Sequence, residues 1–145
     1  MGEESLEGVR VTPLKRLESD RGNVLHALRR SDAGYQSFGE VYFSVVEYGE
    51  IGRWKRHKRM IMNLIVPVGS VEFVFCAGPD LELFRNEIVG EERYVRLTVP
   101  SGIWFNFRGL DEDTNMIANV ASIEYEREEV EHLDLEEISY NWRQL

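Results

Sequence analysis

Residues 49–69 read "GEIGRWKRHKRMIMNLIVPVG" and place a dense basic cluster between two glycines. Six of the nine residues from 52 to 60 are Arg, Lys or His, although the whole chain carries a net charge of −9. Side chains alternate between the two faces of a strand. An extended segment would therefore carry one basic row on one face, formed by Arg53, Lys55, His57 and Arg59. Such a row either protects a solvated edge strand or lines a pocket for an anionic ligand.

The composition indicates a single globular domain. The 145 residues are 43% hydrophobic and 11% aromatic, enough for a sizeable core. The only cysteine, Cys76, cannot form an internal disulfide and is expected to pack within a strand. The acidic balance argues against nucleic-acid or membrane binding. Because the first residues, "MGEESLEG", lead into no apolar segment, we expect no secretory signal and a cytoplasmic location.

Short β-rich segments separated by turn residues recur along the chain. In "RYVRLTVPSG", the apolar residues Val95, Leu97 and Val99 alternate with polar ones, which is the period of a half-buried strand. The segments "EVYFSVVEYG" and "MIANVASIEY" also have strand composition. Many short strands with few helix signals predict an antiparallel sandwich or barrel. The acidic segment from Glu124 is expected to be solvated, with a short helix around "EREEVEHLDLEE".

The spacing of the opening stretch resembles the first motif of cupin barrels. That motif runs from one glycine through His-x-His and Glu to a second glycine, and its positions here are Gly49, Lys55, His57, Met62 and Gly69. The second motif, Pro-x-Gly followed by His, is similar to Pro100-Ser101-Gly102 with Phe105 at the His position. The resemblance implies an all-β, double-stranded β-helix (the cupin jelly-roll barrel). It implies one cupin domain over residues 1–145, with a barrel at 8–125 and an acidic tail at 126–145. Three of the four ligand positions lack a ligand, so we expect no metal and no cofactor.

Within the cupins, the chain resembles the dTDP-4-dehydrorhamnose 3,5-epimerase group and the related dTDP-sugar 3,4-ketoisomerases. The similar segments are Asp20-Arg21-Gly22, "VPSGIWFNFRGL", "MIANVASIEYEREEVE" and "ISYNW", in the family's order. This resemblance implies a nucleotide-diphosphate sugar as the ligand and a homodimer as the assembly.

The resemblance also suggests roles for individual residues. His57 is the expected base, since histidine is the side chain that titrates nearest to neutrality. An alignment on the family's Arg-Gly spacing instead places the catalytic position at Lys55. The family's catalytic Tyr falls near Asn119, and Tyr42, Tyr48 and Tyr125 are possible substitutes. The expected substrate-binding residues are Arg21, Arg53, Arg59, Trp104 and Phe105.

Three acid–base residues elsewhere have weaker assignments. Asp134 is a loosely aligned candidate for the acid that orients the base, and its alternative role is that of a solvated residue in the tail. His26 is expected at the edge of the core, and His132 is expected to be exposed.

These observations predict a nucleotide-sugar isomerase. It would epimerise or keto-isomerise a dTDP-4-keto-6-deoxyhexose by removing a proton next to the C4 keto group, in the route to a surface polysaccharide. The alternative is a non-catalytic cupin that binds a nucleotide sugar or sugar phosphate. A metal-dependent cupin is a third possibility, which the missing ligands disfavour.

Overall fold

The computed structural model describes residues 6–145. Its regular structure consists of twelve short strands and three single-turn 3₁₀ helices, the latter at Leu6–Gly8, Arg127–Glu129 and Leu135–Glu137. The strands are β1 (Arg10–Pro13), β2 (Arg16–Leu17), β3 (Val24–Leu25), β4 (Glu40–Val46), β5 (Trp54–His57), β6 (Met62–Val68), β7 (Ser70–Ala77), β8 (Leu83–Gly90), β9 (Val95–Val99), β10 (Trp104–Gly109), β11 (Asn115–Ala121) and β12 (Val130–Leu133).

Two five-stranded antiparallel sheets form the body of the protein. The first has the order β1-β9-β6-β11-β4, and the second has the order β12-β5-β10-β7-β8. Strands β2 and β3 form a separate hairpin. Neighbours in each sheet are mostly distant in sequence, so the chain crosses between the sheets repeatedly. The predicted all-β class is confirmed.

The inner faces of both sheets supply the main core. Val95, Leu97 and Val99 of β9 point into it, as their alternation predicts. The opposite face of β9 is also buried, whereas the sequence predicted a half-buried strand. Arg96 on that face is 0% exposed, because the segment before β4 covers it. Its guanidinium donates hydrogen bonds to the backbone carbonyl oxygens of Ala27 and Ala33.

Gly69 of the motif joins β6 to β7 under a strict steric constraint. Its φ is +83°, a conformation that glycine adopts without strain. A Cβ at this position would lie 2.1 Å from the carbonyl oxygen of Thr114. The glycine therefore allows the tight connection between the two sheets.

Strand β5 shows the predicted alternation over only four residues. Lys55 and His57 face the space between the sheets and line a cavity there. Trp54 lies on the opposite face and is 0% exposed in a second apolar cluster. Arg53 and Arg59 lie beyond the two ends of the strand. The basic row is thus shorter than the sequence predicted.

The acidic segment after residue 125 is part of the fold, contrary to our expectation of a solvated tail, and in place of one short helix it has two single-turn 3₁₀ helices that flank a strand. Its residues 130–133 form β12, which pairs with β5 at the edge of the second sheet. Ile138 is 3% exposed and joins the cluster that contains Trp54. Apolar residues at intervals among the acidic ones hold the segment against the barrel, so the expected boundary at residue 125 does not coincide with the end of the sheet.

In the part of the chain that the structure describes, no helix has the length and apolar character needed to span a bilayer. The expectation about a secretory signal concerns mainly residues 1–5, which lie outside the described residues.

We expect Ile138→Ala to lower the free energy of unfolding by about 2–5 kcal/mol, because it leaves a cavity in a closed cluster. Urea denaturation followed by tryptophan fluorescence measures this change. The matched control is Leu135→Ala in the same segment, where the side chain is 39% exposed. Equal effects of the two substitutions would show that the segment is not held as described.

Candidate active site

A cavity of about 180 Å³ opens between the two sheets. Its walls are largely apolar, with Phe73, Phe105 and Phe107 on one side. The polar side chains that line it are Tyr42, Ser44, Lys55, His57, Asn119, Tyr125 and His132. An apolar pocket with a few convergent polar groups has the character of a small-molecule site.

Three larger cavities lie elsewhere on the described part of the protein, and one of them, of about 280 Å³, is a shallow site among the charged side chains of Lys58, Arg59, Glu126 and Glu128. Another, of about 360 Å³, contains His26 and the buried Arg96, and the third, of about 480 Å³, lies against the last four residues. Arg96 is already committed to backbone carbonyls and to an ion pair with Asp32. We therefore place the candidate site in the smaller cavity, where the acid–base groups converge.

His57 and Glu129 form a buried pair at one wall of this cavity. The Nδ1 atom of His57 lies 2.5 Å from Oε1 of Glu129, and the two side chains are 6% and 3% exposed. The other carboxylate oxygen, Oε2, accepts hydrogen bonds from the backbone N–H groups of Arg59 and Met60, at 2.9 and 3.2 Å. Burial alone would raise the pKa of the Glu129 carboxyl, but these donors outweigh it and hold the pKa below its usual value.

The carboxylate determines which tautomer His57 adopts. A carboxylate accepts hydrogen bonds, so the Nδ1 atom carries a proton. This N–H group donates a hydrogen bond to Glu129. The other nitrogen, Nε2, is then the one with a free lone pair on the neutral ring. The ring also stacks on Phe105, with centroids 5.9 Å apart and an interplanar angle of 15°. Both contacts fix the orientation of the His57 ring.

Lys55 and His132 form a second polar wall. They are paired in register across β5 and β12. Burial, together with the neighbouring Arg53, lowers the pKa of Lys55. Burial, followed by the charges of Arg53, Lys55 and His57, lowers the pKa of His132. His132 is exposed as expected, but it lines the cavity.

Tyr42 and Asn119 lie side by side on the first sheet, as register partners on β4 and β11. The Nδ2 atom of Asn119 donates a hydrogen bond to the Tyr42 hydroxyl at 2.9 Å. Burial raises the pKa of Tyr42, so its phenol is protonated at neutral pH. Tyr125 contributes a second hydroxyl to the cavity, whereas Tyr48 lies outside it.

Several solved structures with this architecture are sugar-nucleotide enzymes. A dTDP sugar isomerase from Desulfovibrio desulfuricans G20 is 29% identical, with 94% of this chain and 91% of that chain covered and a TM-score of 0.87. The rmlC epimerase of Mycobacterium tuberculosis is 16% identical, with 95% and 76% covered and a TM-score of 0.80. The sugar 3,4-ketoisomerase QdtA of Thermoanaerobacterium thermosaccharolyticum, in complex with TDP, is 17% identical, with 87% and 88% covered and a TM-score of 0.72. No protein-family model matches the sequence, and no curated protein matches it.

The resemblance to the dTDP-4-dehydrorhamnose 3,5-epimerase-like cupins is confirmed. The double-stranded β-helix predicted for the chain is confirmed with it. Two of the positions where cupins hold metal ligands, Met62 and Phe105, line the cavity with apolar side chains. Within residues 6–145, no three His, Cys, Asp or Glu side chains converge as ligands for a metal ion.

The structure brings together four of the eight predicted site residues at this cupin cavity. His57, Lys55, Asn119 and Phe105 line it. Their neighbour Trp104 points to the opposite face of β10, where the guanidinium carbon of Arg56 lies 4.8 Å from the centre of its ring. These placements do not test the roles, which stay predictions.

The three predicted arginines lie outside the cavity wall. Arg53 pairs with Asp134 at 3.4 Å, and Arg59 pairs with Glu126. Arg21 is exposed in the turn between β2 and β3. Asp134 is therefore not the acid that orients His57; Glu129 occupies that place.

Sequence reasoning missed Glu129 and could not place Tyr42 or Tyr125. Glu129 stands in the acidic run "EREEVEH", where nothing in the spacing separates it from its neighbours. Its one available signal was its position immediately before a short segment, residues 130–133, that begins and ends with an apolar residue and could pair with β5.

We expect Glu129→Gln to lower the free energy of unfolding at pH 7 by about 1–3 kcal/mol, the usual value for a buried hydrogen bond to a charged group. A carboxyl whose pKa is lower in the folded state stabilises the protein above its unfolded pKa, and this contribution is lost as the pH falls. The difference in the free energy of unfolding between wild type and variant should therefore shrink at pH values below 4.5, the ordinary pKa of a Glu carboxyl. Urea titrations at pH 7 and at acidic pH measure it. Glu128→Gln, at the exposed neighbour in the same turn, is the control, and a gap that does not change with pH would contradict the assignment.

Proposed function

We propose that this protein is a nucleotide-sugar isomerase that acts on a dTDP-4-keto-6-deoxyhexose. The observation that carries the proposal is the buried His57–Glu129 pair, which lines an apolar cavity with one ring nitrogen free to act as a base. The 29% identity to a dTDP sugar isomerase over nearly the whole chain supports the same substrate class.

His57 removes the proton next to the C4 keto group in the proposed reaction. The C–H bond breaks, the proton passes to Nε2, and the electron pair moves toward the keto oxygen to give an enolate. Glu129 stabilises the imidazolium that forms, because its carboxylate already accepts a hydrogen bond from the Nδ1–H group. His57 is a better candidate for the base than Lys55, since it has this carboxylate partner.

Lys55 stabilises the enolate in this mechanism. It lines the cavity, and its Nζ atom lies 5.9 Å from the centre of the Phe107 ring. Within the described residues it belongs to none of the ion pairs, so its charge is available to the developing oxyanion.

The reaction ends with a proton returned to carbon or oxygen from a second group. Delivery to the opposite face of the same carbon gives epimerisation. Delivery to C4, with the proton of the C3 hydroxyl passing to the C4 oxygen, gives keto-isomerisation. We assign this step to Tyr42, because burial keeps its phenol protonated and Asn119 holds its oxygen. The new bond forms with the phenolic proton. The phenolate then takes a proton from water and the His57 imidazolium gives its proton to the resulting hydroxide, so both groups return to their starting states.

Phe105 forms part of the wall that receives the sugar, and the three arginines are assigned to the diphosphate. Arg53 and Arg59 stand at the two ends of β5, in exposed ion pairs that are weak enough for a phosphate to replace. Arg21 offers the fork geometry that suits phosphate oxygens. Trp104 supports the wall from the opposite face.

The assembly that we propose is a homodimer. The outer face of the edge strand β4 exposes Val41, Phe43 and Val45, at 47%, 62% and 63%. Contiguous exposed apolar side chains of this kind mark an interaction surface. The proposal also includes a cytoplasmic location and a role in the synthesis of surface polysaccharides such as lipopolysaccharide.

Incubation in D₂O with dTDP-4-keto-6-deoxyglucose tests the enzymatic function. We expect deuterium to enter the sugar at C3 or C5, and we expect His57→Ala to reduce the rate at least 10²-fold because it removes the base. Mass spectrometry and proton NMR measure the exchange. His26→Ala is the matched control, since His26 lies in a different cavity.

The alternative, a non-catalytic cupin, predicts a different result in the same experiment. It would bind the nucleotide sugar in calorimetry yet incorporate no deuterium with any dTDP-4-keto sugar. That outcome would remove the isomerase assignment and keep the ligand class.

Phe43→Glu tests the homodimer. We expect this substitution to shift the protein toward a monomer in sedimentation velocity, because it buries a charge in an apolar contact. Leu83→Glu, at a 46% exposed position on the other sheet, should leave the assembly unchanged. A monomeric wild type would contradict the proposal.

A further inference from the structure

We infer that Asn119 is a positioning residue that fixes the direction of the Tyr42 hydroxyl, so that the phenolic proton faces the substrate. The inference rests on the proposed function, because it concerns the group that returns the proton. It assigns Asn119 a different role from the one expected of it as the residue at the family's Tyr position.

The first step is the orientation of the Asn119 amide. Its oxygen, Oδ1, accepts a hydrogen bond from the backbone N–H of Asn63 at 3.2 Å. A backbone N–H group can only donate, so the atom that faces it must be the amide oxygen. The NH₂ group consequently points the other way, toward Tyr42 and Met60.

The second step is the direction of the bond to Tyr42. An amide NH₂ group has only donors, so at 2.9 Å the Tyr42 oxygen must accept. The phenolic proton is then not used in this bond. It remains for a partner in the cavity, which Tyr42 lines.

The third step is that Asn119 has no group left for a substrate. Its second N–H lies against the Met60 sulfur, with Nδ2 and Sδ 3.7 Å apart. The residue is 2% exposed. Asn119 therefore acts through Tyr42.

Asn63, whose backbone N–H group fixes the Asn119 amide, is itself held by hydrogen bonds on the outer face of the first sheet. The side chain of Asn63 donates from Nδ2 to the carbonyl oxygen of Gly34 at 3.1 Å. It accepts from the Thr98 hydroxyl at 2.6 Å. A continuous set of hydrogen bonds thus runs from the covering segment through the first sheet to the cavity, and Tyr42 is its last member.

The ionisable groups around Tyr42 set the expected effect of removing the amide. After burial, the hydrogen bond from Asn119 lowers the pKa of Tyr42, while Glu40, Glu129 and Tyr125 raise it. The other titratable side chains of the cavity are Lys55, His57 and His132. Loss of the amide donor should therefore raise the pKa of the Tyr42 phenol.

Asn119→Asp is the decisive variant, because its size is nearly unchanged while its hydrogen bonding is reversed. One oxygen can still accept from the Asn63 N–H group. The other oxygen replaces a donor with an acceptor, so the Tyr42 hydroxyl turns its proton toward residue 119. We expect kcat to fall about 10²-fold, as for loss of a general acid, with KM changed only a few-fold. Asn23→Asp is the charge-matched control, since that exposed side chain accepts from the Ser19 N–H group far from the cavity.

The double variant separates positioning from direct contact. Asn119→Ala, which removes the amide without adding a charge, should cost nothing further in a Tyr42→Phe background, because Asn119 acts only through the phenol. Losses that multiply in the double variant would overturn the inference. Urea denaturation shows whether each variant folds.

An ultraviolet pH titration tests the inference without any substrate. The difference between wild type and Tyr42→Phe isolates the titration of the Tyr42 phenol, and Asn119→Ala, which removes the donor without adding a charge, should move it to higher pH. An unchanged titration would overturn the positioning role. Absence of deuterium exchange in the wild type would instead reject the proposed function, and the titration would still decide the direction of the Tyr42 bond.

Discussion

The carboxylate of Glu129 is the contact on which both the second sheet and the candidate site depend. A buried carboxylate is costly unless donors satisfy it, and its donors are Nδ1 of His57 and two backbone N–H groups just beyond the end of β5. The residues joined by this contact are 72 positions apart. The bonds that stabilise the charge also bring β12 to the edge of β5 and set the tautomer of the base. Removing the acid would therefore disturb the fold and the chemistry together.

The strand period was enough to predict the part of the site that lies on one strand. Lys55 and His57 are two residues apart, so alternation alone puts them on the same face, and the cupin spacing placed that face inside the barrel. The same argument wrongly included Arg53 and Arg59 in the basic row, because the paired segment of β5 is only four residues long. Alternation says which residues share a face, but it does not say where pairing stops.

The sequence could not predict the contacts between strands, because these contacts depend on register. The family's Tyr position maps near Asn119, and in the proposed mechanism the hydroxyl is instead supplied by Tyr42, its register partner on the neighbouring strand. Side chains opposite each other on one face lie close together. A hydroxyl carried by β4 can therefore reach the same cavity as a hydroxyl carried by β11. Counting positions along the sequence does not reveal this pairing, since most of the barrel sequence lies between β4 and β11.

Register also explains why so basic a strand occurs in so acidic a protein. The antiparallel pairing of β5 with the acidic segment produces four pairs in reverse order: Arg59 with Glu126, His57 with Glu129, Arg56 with Glu131 and Arg53 with Asp134. The two charge clusters, which looked unrelated in the sequence, neutralise each other. Within β5, Lys55 is left facing the cavity opposite His132 rather than a carboxylate. The other basic side chains of the strand are already paired, so Lys55 is the residue of β5 whose charge can stabilise the enolate in the proposed mechanism.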